Sequence, residues 1–275
     1  MNGGAPVPPA AAEAPPQLSL EIGIDAGGRS RIARRRVSWP WSLPRGYHLH
    51  GAQGPLTVLP QAAGAGLLPG DVWRHDIRVD RHARLRLIEA GATAVHRAKA
   101  QPGRLRWRLS AGAGATLALF AQPFVMMEGA QLHQRMRLSL HPHAVVVLAD
   151  GFCLRGGAAD PGLDWRSELE VRLEDGTPLL RDAQAVTGAE LARLAQVDDT
   201  ARAFGAVTLL APRPTLEILR QDLPDGAFDG GDAYGAVGPL RREAGLALRL
   251  ACRDGGGLTR AMAEIQARIE RRLFG

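Results

Sequence analysis

The stretch "GDVWRHDIRVDRHARLRLIEAGATAVHR" (residues 70–97) decides the fold. Trp73, Ile77 and Val79 fall on one side of an alternation whose other side carries Arg74, Asp76, Arg78 and Asp80. After a short polar turn, Leu85 and Leu87 alternate with Arg84 and Arg86. Successive side chains of a strand point to opposite faces, so this period reads as half-buried β-sheet. The pattern recurs downstream: Leu105, Trp107 and Leu109 against Arg104, Arg106 and Arg108; Leu132, Met136 and Leu138 against His133, Arg135 and Arg137; Leu169 and Val171 against Glu168, Glu170 and Arg172. "AVVVLA" (144–149) is continuously apolar, as a strand buried on both faces should be. Turn signals at 101–103, 111–114, 141–143 and 174–176 separate these runs without helices between them. The expectation is an all-β body over roughly 18–182. Periodicity alone leaves sandwich, barrel and solenoid open, and no internal repeat of fixed period is evident.

Helical spacing appears late. "GAELARLAQ" (188–196) and "PTLEILRQ" (214–221) read as short helices, the second with Pro214 in a first turn. Met262, Ile265, Ile269 and Leu273 recur at helical intervals, predicting a helix over 258–273 preceded by the strand "LALRLAC" (246–252). "DGAFDGGDAYGAVG" (225–238) reads as a glycine-rich loop. Residues 1–17, rich in Ala, Pro and Gly, read as a disordered tail ahead of one domain over 18–275. That tail has neither the charged nor the apolar region of a secretory signal, and no run approaches the roughly 18 apolar residues of a membrane span. With only Cys153 and Cys252, a disulfide framework is excluded and a cytoplasmic location is the expectation.

The 275 residues carry a net charge of +6, almost all of it arginine, since Lys99 is the sole lysine. A basic chain invites nucleic-acid binding, and an arginine-rich β protein that binds RNA or DNA is the alternative functional reading. Against it, the arginines are interleaved with acids, and few aromatics sit among them. The arginine face reads equally as the solvated side of a sheet or as a docking surface for protein. No nucleophile elbow, phosphate loop or zinc-protease helix is present, and "GAGLLPGD" (64–71) leads into a strand rather than the helix N-terminus a phosphate needs. Cys153 reads as a buried structural thiol. His48 with His50, and His141 with His143, place two imidazoles close together; either pair could chelate nickel or zinc, but no third ligand is placed. From the residues alone, this is a non-catalytic binding or scaffolding protein.

The order of several motifs resembles the urease accessory protein UreD family, called UreH in some bacteria. "GPLTVLP" (54–60), "AGLLPGDVWRHDIRVDRHARLRLIEAGATAVHR" (65–97), "LALFAQPFVMMEGAQLHQRMRLSL" (117–140), "LEDGTPLLRDAQAVTG" (173–188) and the segment 245–275 each resemble a family element, in the family's order. The resemblance implies a mainly β single domain, a helicoidal stack of many short strands with a few helices in the C-terminal third. It implies no catalysis and no tightly bound cofactor, with nickel at most a transient passenger. The partners it implies are the urease apoprotein, a UreF-like accessory protein and, through it, a UreG-like GTPase. Gly70, Asp71, Thr93 and Arg97 match family positions and would line or shape a nickel route, although Gly70-Asp71 serves equally well as the turn leading into a strand. Departures are Ala65 and Pro69 where glycines are usual, Glu89 for Gln, Ala94 for Lys, His96 for Tyr, a rearranged "LRGG" (154–157) containing Arg155-Gly156, and "FAQPF" (120–124), which lacks the family's acid.

Overall fold

The computed structural model describes residues 14–98, 100–156, 160–196, 200–228 and 232–275. The chain begins with an antiparallel pair, β1 (Leu18–Ile24) and β2 (Ser30–Val37), followed by β3 (Trp41–Ser42), β4 (Leu56–Val58) and β5 (Gln61–Ala62), with β3 and β5 paired. Then it coils. β6 (Val72–Val79), β7 (Arg84–Ile88) and β8 (Ala94–Val95) make one coil, and β9 (Gly103–Ala111), β10 (Thr116–Phe120) and β11 (Phe124–Met126) the next. β12 (Gln131–Leu140) and β13 (Val145–Leu154) make a third, and β14 (Asp164–Leu173) opens a fourth that turns back through β15 (Pro178–Thr187).

Equivalent strands of successive coils pair in parallel, giving a seven-stranded sheet ordered β15-β14-β12-β9-β6-β1-β2. β13-β10-β7-β4 form the parallel half of the second sheet. This is the helicoidal stack that the family resemblance implied. In the first sheet Trp73 is level with Leu105, Leu105 with Gln134, and Gln134 with Ser167, offsets of 32, 29 and 33 residues. An offset that varies by several residues from coil to coil leaves no fixed period in the sequence, although the backbone repeats.

The C-terminal third completes the second sheet. Thr187 caps α1 (Gly188–Leu194) through a reciprocal capping box with Glu190. β16 (Ala203–Leu210) adds antiparallel to β13, α2 (Arg213–Asp222) follows, and β17 (Gly226–Phe228), β18 (Ala233–Pro239) and β19 (Leu246–Cys252) extend the sheet. The β body therefore continues well past residue 182. The segment 225–238, expected as a loop, is instead the β17–β18 hairpin, because β19 offers an open edge that backbone groups must satisfy; its residues 229–231 lie outside the described residues. α3 (Gly255–Phe274) begins three residues before the sequence expectation, since the Asp254 side chain accepts from Gly257 N at 2.7 Å and caps a first turn made of glycines. Of the expected tail, residues 1–13 lie outside the described residues, whereas Gln17 exchanges hydrogen bonds with the backbone of Val72 and Arg74 in β6.

The layers account for the two hydropathy patterns. One apolar core lies between the sheets and includes Ile77, Leu87, Trp107, Leu117, Met136 and Val146. A second lies between the far face of the second sheet and the helices, where Val147, Val207 and Leu248 meet Leu216, Leu258, Ile265 and Ile269. The second sheet is thus covered on both faces, and β13 is buried along nearly its whole length, as its continuous apolar run required. Among the described residues, the first sheet packs a core against one face only. Its other face carries the arginines.

Candidate functional site

The loop after β5 and the chain joining β7 to β8 enclose a cleft of about 480 Å³, lined by Trp41, Gly66, Trp73, Glu89 and Thr93 among others. Gly66 (φ +114°) could not be replaced, because a Cβ there would stand 2.2 Å from the Ala94 carbonyl oxygen. Glu89 Oε2 accepts from the backbone N–H of Gln122 at 3.2 Å, and burial pushes its carboxyl up to about 7. Thr93 is half-buried and its carbonyl accepts from Val125 N at 2.9 Å. A carboxyl poised near neutrality in a polar cleft can hold a proton or, once ionised, attract a cation.

Of Gly70, Asp71, Thr93 and Arg97, the residues matched to family positions, Thr93 alone lines this cleft. Gly70 adopts φ +81°, a conformation glycine takes without penalty, and Asp71 closes the turn by accepting from Leu68 N at 3.0 Å. Here those two residues form the turn that leads into β6. Arg97 is exposed and pairs with Glu128 Oε1 at 2.6 Å. The histidine pairs also separate in their surroundings. His48 is exposed, while His50 stands 3.6 Å from Glu270 and makes a tilted ring contact with Phe274. His141 and His143 have ring centroids 5.5 Å apart, but His141 Nδ1 already accepts from the His143 backbone N–H. Among the described residues no group of three or more His, Cys, Asp or Glu side chains is gathered as for a metal.

The structure adds buried polar groups that the sequence reading passed over. His75 lies between Trp107 and Trp41 with ring centroids 4.0 and 4.7 Å away, and neither ring nitrogen has a hydrogen-bond partner. Burial lowers its pKa to about 3, so it is neutral. Its parity with Trp73 and Ile77 was the signal that would have found it. Between the sheets, Gln134 Nε2 donates to Asp150 Oδ2 at 2.6 Å, and Ser167 Oγ donates to the same oxygen at 3.1 Å. Burial raises the Asp150 carboxyl to about 6 against these hydrogen bonds. On the second sheet, Arg86 makes a two-point pair with Glu270 of α3 at 2.5 and 3.1 Å, and Gln266 donates to the same carboxylate.

A profile described as the UreD urease accessory protein matches residues 15–275. The chain belongs to the UreD family. Among relatives, the urease accessory protein UreD 3 of Bradyrhizobium sp. (strain ORS 278) is 32% identical over 250 residues, covering 89% of this chain and 87% of that one. UreD 1 of Pseudomonas syringae pv. tomato is 29% identical over 240 residues, 86% and 84% of the two chains. UreD 1 of Methylorubrum extorquens is 28% identical over 268 residues, 94% and 91%.

Several departures from the UreD pattern now have physical reasons. Gly66 and Gly70, which need positive φ, are kept, while Ala65 and Pro69 stand where no such demand falls. His96 Nε2 lies 2.7 Å from the Ala65 carbonyl oxygen and ties that loop to the coil. Within the 120–124 segment, the Gln122 backbone N–H donates to Glu89 Oε2 at 3.2 Å.

Proposed function

We propose that this protein acts in urease maturation as a non-catalytic scaffold that binds the urease apoprotein together with other accessory proteins. The observation that carries this is the UreD match over residues 15–275, with relatives named urease accessory proteins aligned over most of both chains. At finer grain, the proposed partners are a UreF-like protein bound directly and a UreG-like GTPase held through it, with the chain working in the cytoplasm. No helix among the described residues is long and apolar enough to cross a membrane. Nickel is cargo in this reading, and the cleft holding Glu89 and Thr93 is the proposed polar stretch of its route, a carboxyl near neutrality being able to exchange a proton for a passing cation. Nothing in the fold or the comparisons supports nucleic-acid binding.

The test is complementation in a urease-producing host from which the gene has been deleted. The expected result is urease protein at normal abundance with little nickel and little activity, both restored by the wild-type chain. Tagged protein should co-purify urease subunits and accessory proteins. Full nickel content in the deleted strain would overturn the reading.

A further inference from the structure

We propose that the small cavity between β14–β15 of the first sheet and β13–β16 of the second is a binding site for a single water molecule, which bridges the two sheets by donating to Asp150 Oδ1 and accepting from the Thr208 hydroxyl. Polar residues stand here in a core that is otherwise apolar. Gln134, Ser167 and Gln184 are level across β12, β14 and β15, while Asp150, Ala206 and Arg249 are level across β13, β16 and β19. Thr208 stands beside them, level with Leu148. A buried polar row of this kind is stable only when its donors and acceptors are met.

Most of them are met within the chain. Asp150 Oδ2 accepts from Gln134 Nε2 at 2.6 Å and from Ser167 Oγ at 3.1 Å. Asp182 Oδ2 accepts from Gln184 Nε2 at 3.1 Å and from Arg249 Nη2 at 2.5 Å. Two atoms are left over. Among the described residues, Asp150 Oδ1 and Thr208 Oγ1 have no hydrogen-bond partner, although Asp150 is only 8% and Thr208 only 5% exposed. Both side chains line one cavity of about 20 Å³, together with Ser167, Asp182 and Gln184.

Size and chemistry select the occupant. A water needs roughly 10–15 Å³ of such space and two to four polar partners. Asp150 and Thr208 supply an acceptor and a donor from the second sheet, and Asp182 or Gln184 offers a third partner from the first. A divalent cation of the calcium or magnesium kind would demand about six oxygen ligands, for which this space is too small. Among the described residues no three or more His, Cys, Asp or Glu side chains are gathered to hold a metal. The charged groups that face Asp150 are Asp182, which raises its carboxyl, and Arg249, which lowers it. A hydrogen bond donated by the water favours the ionised carboxylate, so the water and the titration of Asp150 are linked.

The test pairs a high-resolution crystal structure of the full-length chain with titration of the Asp150 carboxyl by carbon-13 NMR in wild type, Thr208→Val and Thr208→Ser. It uses no urease component, so its failure leaves the maturation reading standing, and failed complementation leaves this one standing. The crystal structure is expected to show a water within hydrogen-bond distance of both Asp150 Oδ1 and Thr208 Oγ1. Valine keeps the shape of threonine but removes the hydroxyl that holds the water, so the Asp150 midpoint should rise by about 0.5–1 in pH. Serine keeps the hydroxyl and should leave the midpoint close to wild type. Unchanged near-UV circular dichroism excludes misfolding of either variant; should Thr208→Val misfold, the wild-type density decides alone. A dry cavity would overturn the proposal, as would density that follows the cation of the buffer, or a midpoint in Thr208→Val that stays put or falls.

Discussion

His75 shows how much one side chain can be asked to carry. Its strand parity places it inside, and its flanking tryptophans leave no acceptor or donor for either ring nitrogen. Substituting Phe keeps an aromatic ring and removes the unmet polar atoms, so His75→Phe is expected to stabilise the fold by about 1–3 kcal/mol at neutral pH in urea titrations. The pH dependence has a definite sign. A histidine whose folded pKa is depressed from 6.5 to about 3 contributes stability above 6.5 that is lost as pH falls toward 3. The margin of His75→Phe over wild type should therefore widen between pH 7 and pH 4. Glu89 has the opposite sense. Its folded pKa is raised from 4.5 to about 7, so its contribution is complete below 4.5 and is lost as pH climbs through 7. Glu89→Gln, which restores the family's usual residue, should gain on wild type from pH 5 to pH 8, by about 1–2 kcal/mol for a half-buried carboxyl. A margin that stays flat across that window would mean the carboxyl is solvated.

At the scale of elements, α3 is fixed to the second sheet by two unlike contacts. Of the stripe expected from the sequence, Ile265 and Ile269 are fully buried and Met262 and Leu273 partly so, with Leu258 and Ala261 completing the buried face. Glu270, on the same helix, is 8% exposed and paired with Arg86, a residue whose strand alternation had put it on the wet side. That reading treated the strand as if its polar side faced water. Alternation marks the two sides of a strand but cannot say that a helix will later cover the polar one. Breaking such a pair on one side strands a buried charge, so Arg86→Met is expected to cost about 3 kcal/mol in chemical denaturation. The Arg86→Met/Glu270→Met double variant should recover most of that loss, because two thioether side chains can fill the space without a charge to desolvate. Strictly additive costs would show that the two groups do not depend on each other.

For the whole molecule, what could be read from the sequence divides along the layers. Strands of the first sheet were legible because one side faces water and the other a core, which prints the period of two directly. The all-β body, the doubly buried β13 and the late helices were legible for similar local reasons. The cleft was not, since it sets Trp41 of β3 against Glu89 and Thr93 of the chain joining β7 to β8, and only the tertiary fold decides that these distant segments are neighbours. Glycine content misled at β17–β18, where an open sheet edge overrides weak local propensity. The same architecture predicts an order of opening. β9, β12 and β13 each have a strand on both sides and long registers, whereas β17 is a three-residue edge strand paired with β18 alone. Local opening draws on the elements with fewest buried contacts, so hydrogen exchange should be fastest in the β17–β18 hairpin and slowest in β12 and β13, with protection differing by at least about 100-fold. The parallel stack also requires contacts far apart in sequence before any coil is stable, which makes β9, β12 and β13 a single cooperative unit. Exchange rates that graded smoothly from one coil to the next would instead reveal coils that open one at a time, as in a linear repeat array.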